Sequence, residues 1–149
     1  MVKKRNIILK ISRIFFVMYS RLMIWEVFLG PYRSYSGTRR YNLYPFKTII
    51  YYFMNSSKFN FNAIFINLVA NIVTFIPLGF FMTMFFKKFN KISTMAVFSV
   101  IIIFIIEVLQ FIFNVGVFDI DDIILNSLGC IIGFGLFKLI ICIRINKIW

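Results

Sequence analysis

The sequence predicts an all-helical integral membrane protein, a bundle of about four transmembrane helices with an interfacial segment between the first and the second. The 149-residue chain is 61% hydrophobic and contains 21 Phe, and its mean hydropathy is +0.89. This is more apolar surface than one soluble domain can bury. Several apolar runs also reach the length that a bilayer requires, and basic residues cluster between them as orientation signals do.

Three apolar segments are clear spans, at about residues 63–86, 93–115 and 122–143. A fourth segment, at about residues 8–29, is also apolar but carries Lys10, Arg13, Arg21 and Glu26. We expect this segment to span the membrane as an uncleaved anchor, because it lacks the short apolar core and small-residue cleavage site of a secretory signal. No internal repeat divides the chain, so residues 1–149 are predicted to form a single transmembrane domain.

The basic residues predict that both termini are cytoplasmic. With four spans, one side of the membrane receives Lys3, Lys4, Arg5, Lys87, Lys88, Lys91, Arg144 and Lys147. The outer side receives residues 31–60 and the acidic turn at 119–122, and this outer segment has its own cations, Arg33, Arg39, Arg40, Lys47 and Lys58. Its middle, residues 44–53, is aromatic and too short to cross, so we expect it to lie in the interface or re-enter slightly.

Acidic residues are the strongest functional signal. Four of the five, Glu107, Asp119, Asp121 and Asp122, fall within sixteen positions. A carboxylate inside an apolar span costs about 2.5–3.5 kcal/mol on insertion scales, so such residues are usually partnered and often functional. Capping of the following helix would explain one or two of the three Asp residues, which leaves a functional role for the others.

Polar side chains repeat at helical spacing on three spans. The sets are Asn67, Asn71 and Thr74 on the second span, Glu107, Gln110 and Asn114 on the third, and Asp122 and Asn126 with Gly129 and Gly133 on the fourth. Spacings of three and four residues place each set on one helix face, and the paired glycines allow a neighbouring helix to approach closely. Pro77 is predicted to kink the second span.

We predict that these faces line one outward-facing polar pocket. The candidate ligand-binding residues are Asn71, Glu107, Gln110, Asp119, Asp121, Asp122, Asn126, Arg39 and Arg40. An alternative stays open for Asn67, Thr74 and Gln110, which could serve only as interhelical hydrogen bonds.

Several other classes of site are disfavoured. The chain has no His, which removes the ordinary His-based metal sites and catalytic triads. Cys130 and Cys142 lie on one predicted helix about 18 Å apart, too far for a disulfide. The basic residues behind the net charge of +12 lie mainly in short clusters between the apolar runs, which is typical of topology signals and not of a nucleic-acid surface. We therefore expect no metal, cofactor or nucleic acid, and partners limited to the lipid bilayer and an amphipathic ligand.

Four short motifs carry a family resemblance. They are Tyr41-Asn42-Leu43-Tyr44-Pro45-Phe46, Asn71 with Phe75-Ile76-Pro77-Leu78-Gly79-Phe80, Glu107 with Gln110, and Phe118-Asp119-Ile120-Asp121-Asp122-Ile123-Ile124-Leu125-Asn126-Ser127-Leu128-Gly129. In this order, across about residues 39–135, the chain resembles the VanZ-like family of bacterial membrane proteins. The resemblance implies a helical membrane protein linked to glycopeptide resistance, chiefly towards teicoplanin, by a mechanism that membership does not define.

One departure from the family pattern concerns charge. Many members carry an Arg just before the acidic motif, where this chain has Val115-Gly116-Val117. If that Arg contributes to ligand binding, Arg33, Arg39 or Arg40 would have to replace it.

Two functional hypotheses follow. The first is a non-enzymatic envelope protein that binds a lipoglycopeptide or a lipid-linked cell-wall precursor in the outward pocket. The second is an intramembrane enzyme acting on a polyprenyl-phosphate or another lipid head group, with Mg²⁺ held by Asp119, Asp121 and Asp122 and with Glu107 as general acid or base. The sequence supplies no complete catalytic motif, which favours the first. A transporter would require inverted repeats or broken helix pairs, and the sequence has neither.

Overall fold

The computed structural model describes residues 2–30, 40–54 and 61–146. Its α-helices are α1 (Val2–Leu29), α2 (Lys47–Met54), α3 (Phe61–Phe85), α4 (Ile92–Ile112) and α5 (Ile120–Asn146). A 3₁₀ turn at Lys87–Asn90 joins α3 to α4, and two short strands, β1 (Tyr41–Asn42) and β2 (Phe118–Asp119), pair with each other. The described chain is therefore mostly helical, as predicted, and the strand pair is an addition that the sequence does not signal.

Three of the described helices are long and apolar enough to cross a membrane. Their apolar windows are Leu68–Phe85, Ile92–Ile112 and Ile120–Cys142. These windows lie within the three spans predicted most clearly from the sequence or overlap them almost completely. The first helix, α1, is not among them. Lys10, Arg13, Arg21 and Glu26 interrupt its apolar run, so a fourth span stays a prediction.

Close contact between α3 and α5 forms the centre of the bundle. A Cβ added at Gly129 would lie 2.1 Å from the Ile72 carbonyl oxygen, and one added at Gly133 would lie 2.0 Å from that of Ile76. The expectation that these two glycines admit a neighbouring helix is thus confirmed. Gly133 lies four residues after Gly129, and its partner Ile76 lies four residues after Ile72. The helices α3 and α5 therefore run parallel, with α4 connecting them.

The first helix packs along α3. The Phe16 and Phe85 rings contact each other with centroids 5.6 Å apart, and one turn later the Tyr19 hydroxyl donates to the Thr74 carbonyl oxygen at 2.8 Å. Residue numbers rise along α1 from Phe16 to Tyr19 while those of their partners on α3 fall from Phe85 to Thr74, so the two helices are antiparallel. The third helix, α3, continues through Pro77 as one helix.

The outer end of α4 differs from the prediction. The helix ends at Ile112, and Asn114 has a φ of 55°, a left-handed conformation that Asn tolerates better than most residues. The Asn114 amide donates to the Phe111 carbonyl at 3.2 Å and the Val115 amide to that of Gln110 at 3.0 Å. This is a Schellman helix end. The prediction that Asn114 extends the polar face of α4 is therefore wrong.

Candidate functional site

The outer segment and the acidic motif meet through a parallel strand pair. Tyr41 pairs with Phe118 and Asn42 with Asp119, and the Phe118 amide donates to the Arg40 carbonyl oxygen at 3.2 Å. This pairing brings residues 40–42 of the outer segment against the first turn of α5.

Asp119 links the beginning of α5 to the outer segment. Its Oδ1 accepts hydrogen bonds from the Asp121 amide at 2.9 Å and from Asn42 Nδ2 at 3.0 Å. Its Oδ2 accepts the Thr48 hydroxyl at 2.6 Å, and Asn42 Nδ2 also donates to Thr48 Oγ1 at 3.1 Å. Asp119 therefore has the helix-capping role expected for one of the acids, and it also fixes two side chains of the outer segment.

Asp121 caps α2 rather than its own helix. Its Oδ1 accepts the Phe46 amide at 2.5 Å, and its Oδ2 accepts the amides of Thr48 at 2.8 Å and Ile49 at 3.2 Å. Phe46 immediately precedes α2 and has no side-chain acceptor to cap it. The carboxylate of Asp121, which is 1% exposed, satisfies these first-turn donors from a distant part of the chain.

Glu107 and Gln110 lie beneath this network on α4, and both are buried. Glu107 Oε2 accepts the Asp119 backbone amide at 3.3 Å. Gln110 Nε2 donates to the Val27 carbonyl oxygen at 2.9 Å, which ties α4 to α1. Gln110 thus forms an interhelical hydrogen bond, as the alternative to a ligand-binding role predicted.

Asn71 and Asp122 connect α3 to α5. Asn71 Nδ2 donates to Asp122 Oδ1 at 2.6 Å. Asn126, one turn further along α5, is 5% exposed, and its Oδ1 has no hydrogen-bond partner among the described residues. Arg40 is exposed, whereas Arg39 and the side chain of Asn67 lie outside the described residues.

An open groove of about 330 Å³ lies beside the Asp119 network. Its lining residues are Asn42, Lys47, Thr48, Tyr51 and Tyr52. The buried side chains of Glu107 and Asn126, which the sequence placed in an outward pocket, are not in this lining. None of the five lining residues is among the site residues predicted from the sequence, because four of them come from a short aromatic helix. The available signal was the four-residue spacing of Lys47 with Tyr51 and of Thr48 with Tyr52.

The acidic side chains turn in different directions. Asp121 faces the amides of α2, Asp119 faces Asn42 and Thr48, and Asp122 faces Asn71. Within the part of the chain that the structure describes, no group of three or more His, Cys, Asp or Glu side chains is arranged to hold a metal ion. The magnesium site considered from the sequence is not formed by these three aspartates.

Comparison with known proteins confirms the resemblance. The chain matches the VanZ/LLP1 family over residues 14–141. It belongs to this family. The chain is also 31% identical over 86 residues to Protein VanZ of Enterococcus faecium, in an alignment covering 58% of this chain and 53% of that protein. This VanZ/LLP1 chain thus spans about half the length of that relative. No solved structure matches it. Membership and three apolar helices together identify a membrane protein.

The Asn71–Asp122 hydrogen bond is expected to couple α3 and α5 energetically. In a double-mutant cycle of Asn71→Ala and Asp122→Ala, we expect a coupling energy of about 1 kcal/mol, as for other hydrogen bonds between membrane helices. The measurement is the free energy of unfolding in detergent micelles. Pairing Asn71→Ala with Gln110→Ala, whose amide contacts Val27 instead, should give additive effects. Additive effects in the first cycle as well would show that the Asn71–Asp122 contact contributes nothing.

Proposed function

We propose that this chain is a multi-pass cell-envelope protein that lowers the effect of glycopeptide antibiotics of the teicoplanin type. It does so by binding an amphipathic ligand, a lipoglycopeptide or a lipid-linked cell-wall precursor, at the outer face of the membrane. The observation that carries the proposal is the open groove beside the acidic network. A concave site with aromatic walls and a few fixed polar groups suits a ligand with a polar head and an apolar tail.

The proposal gives the predicted site residues two roles. Asp119 and Asp121 position the groove by holding Asn42, Thr48 and the first turn of α2. Among the remaining candidates, Arg40 adds positive charge beside β1, and Arg39 lies outside the described residues. The others support the bundle below, and they are Asn71, Glu107, Gln110, Asp122 and Asn126.

The proposal also requires that α2 faces the cell exterior and that both termini are cytoplasmic. The antiparallel packing of α1 on α3 supports α1 as a first span. In a Cys142→Ser background, we expect Lys47→Cys to react with a membrane-impermeant maleimide in intact cells. Lys88→Cys, between α3 and α4, should react only after the cells are permeabilised. The reverse pattern would contradict the proposed orientation.

The functional test is expression in a glycopeptide-susceptible bacterium. We expect the wild-type chain to raise the minimal inhibitory concentration of teicoplanin several-fold, and a Lys47→Gln/Tyr51→Ala variant to lose this protection at an equal membrane level. Lys91→Gln removes an exposed lysine remote from the groove and is the matched control. Absence of protection by the wild type, or full protection by the groove variant, would reject the proposal.

A further inference from the structure

The groove presents a lysine cation and two tyrosine side chains. Lys47 is exposed, and its Nζ lies 5.5 Å from the centre of the Tyr44 ring. Asn42 and Thr48 form a wall that Asp119 already holds in place. The lining contains no carboxylate, because the Asp119 oxygens lie behind Asn42 and Thr48 and accept from them, and the Asp121 oxygens accept from the amides of α2. Lysine binds phosphate as a point charge, and tyrosine offers both a hydroxyl and an aromatic face to a polar head group.

Another face of α2 is apolar and exposed. Phe46, Ile50 and Phe53 are spaced by four and three residues and are 53%, 48% and 59% exposed. No residue of α2, all of which is described, is buried. Because Asp121 attaches α2 to the first turn of α5, the helix lies at the end of the membrane-crossing segments. Its apolar face can therefore contact acyl chains while Lys47 and Tyr51, on the adjacent face, point towards head groups.

The groove is also small. Drug-sized ligands occupy pockets of about 300–1,000 Å³, and this groove, at about 330 Å³, is at the lower end of that range. It has room for a phosphate or pyrophosphate and one sugar ring. A large glycosylated peptide would extend beyond it.

We infer that the groove recognises the phosphate of a prenyl-phosphate or prenyl-pyrophosphate lipid, whose tail lies along Phe46, Ile50 and Phe53. Lys47 contacts the phosphate, and Tyr51 and Tyr52 border the first sugar. This inference rests on the proposed function, because it chooses the lipid-linked ligand over the lipoglycopeptide for the same site.

The test uses the full chain in phosphatidylcholine nanodiscs, with farnesyl pyrophosphate as the probe. We expect farnesyl pyrophosphate to bind saturably and excess phosphatidylglycerol not to displace it. Inorganic pyrophosphate, which lacks the apolar tail, should bind at least about tenfold more weakly. Lys47→Gln should weaken the binding of farnesyl pyrophosphate about tenfold. Ile50→Ser should weaken the binding of farnesyl pyrophosphate but not that of inorganic pyrophosphate. Lys91→Gln is the control and should bind as the wild type does.

Other results would contradict the inference. Equal displacement by phosphatidylglycerol would overturn the inference, since the site would then be a general anionic-lipid surface. Unchanged binding in Lys47→Gln would overturn it as well. If teicoplanin binds at the groove and the prenyl ligand does not, the inference fails but the proposed function stands. If neither ligand binds, the inference fails, and if cells also gain no protection, the proposed function fails with it.

Discussion

Asp121→Ala is expected to release α2 from the bundle. The substitution leaves the amides of Phe46, Thr48 and Ile49 without the carboxylate that they now share. Hydrogen bonds to a charged group each contribute about 1.5–3 kcal/mol. Asp119 still accepts the Thr48 hydroxyl, but α2 buries no side chain, so we expect its docking to weaken by about 3 kcal/mol. Chymotrypsin should then cleave at Tyr51 to Phe53 much faster in the variant than in the wild type.

Asp122→Asn is the matched control for this experiment. It removes the neighbouring charge, but its side chain accepts the Asn71 amide of α3, whereas the Asp121 side chain accepts the backbone amides at the start of α2. We expect its α2 to resist chymotrypsin as the wild type does. If chymotrypsin cleaved Asp121→Ala no faster than Asp122→Asn, the hydrogen bonds from α2 to Asp121 would not be holding α2 against the bundle.

Gly133→Ala is expected to force α3 and α5 apart. The new Cβ would lie 2.0 Å from the Ile76 carbonyl oxygen and 2.7 Å from the Phe80 amide nitrogen. Both are backbone atoms that cannot rotate away, so the helices must separate along their main contact. Overpacking of this kind typically costs about 1–3 kcal/mol, and we expect a loss of about 3 kcal/mol in the free energy of unfolding because the strain falls on two helix backbones.

Gly135→Ala provides an internal control on the same helix. A Cβ at Gly135 meets nothing within 4 Å, and removing a helical glycine should stabilise by roughly 0.5–1 kcal/mol. Unfolding of both variants in detergent micelles, followed by circular dichroism, gives the comparison. Equal stability of the two variants would contradict the tight α3–α5 contact.

The spans could be predicted because they depend on composition alone. Apolar runs of membrane length fix the positions of α3, α4 and α5 within a few residues. The early end of α4 has a local signal that was available in the sequence, since Asn114 is a residue that commonly adopts the left-handed conformation after a helix. The strand pair has no such signal, because two residues in each strand are too few to show an alternating pattern.

Only one contact of the acidic network has a local signal in the sequence. An acid before an apolar run indicates a helix cap, and Asp119 is one. The partner of Asp121 could not be foreseen, because Phe46 lies 75 residues away and no local pattern relates the two. The sequence predicted that Glu107 and Asp119 share one pocket, but not that the Asp119 backbone amide donates to the Glu107 carboxylate, because that contact depends on how the chain folds back between α4 and α5.

Amide hydrogen exchange in α2 tests most directly whether the acidic motif builds the outer groove. In the wild-type chain, the amides of Phe46, Thr48 and Ile49 should exchange slowly although α2 is exposed, because Asp121 accepts their hydrogen bonds. In Asp121→Ala they should exchange at the rate of an unprotected helix end. Fast exchange of these three amides in the wild type would contradict the account.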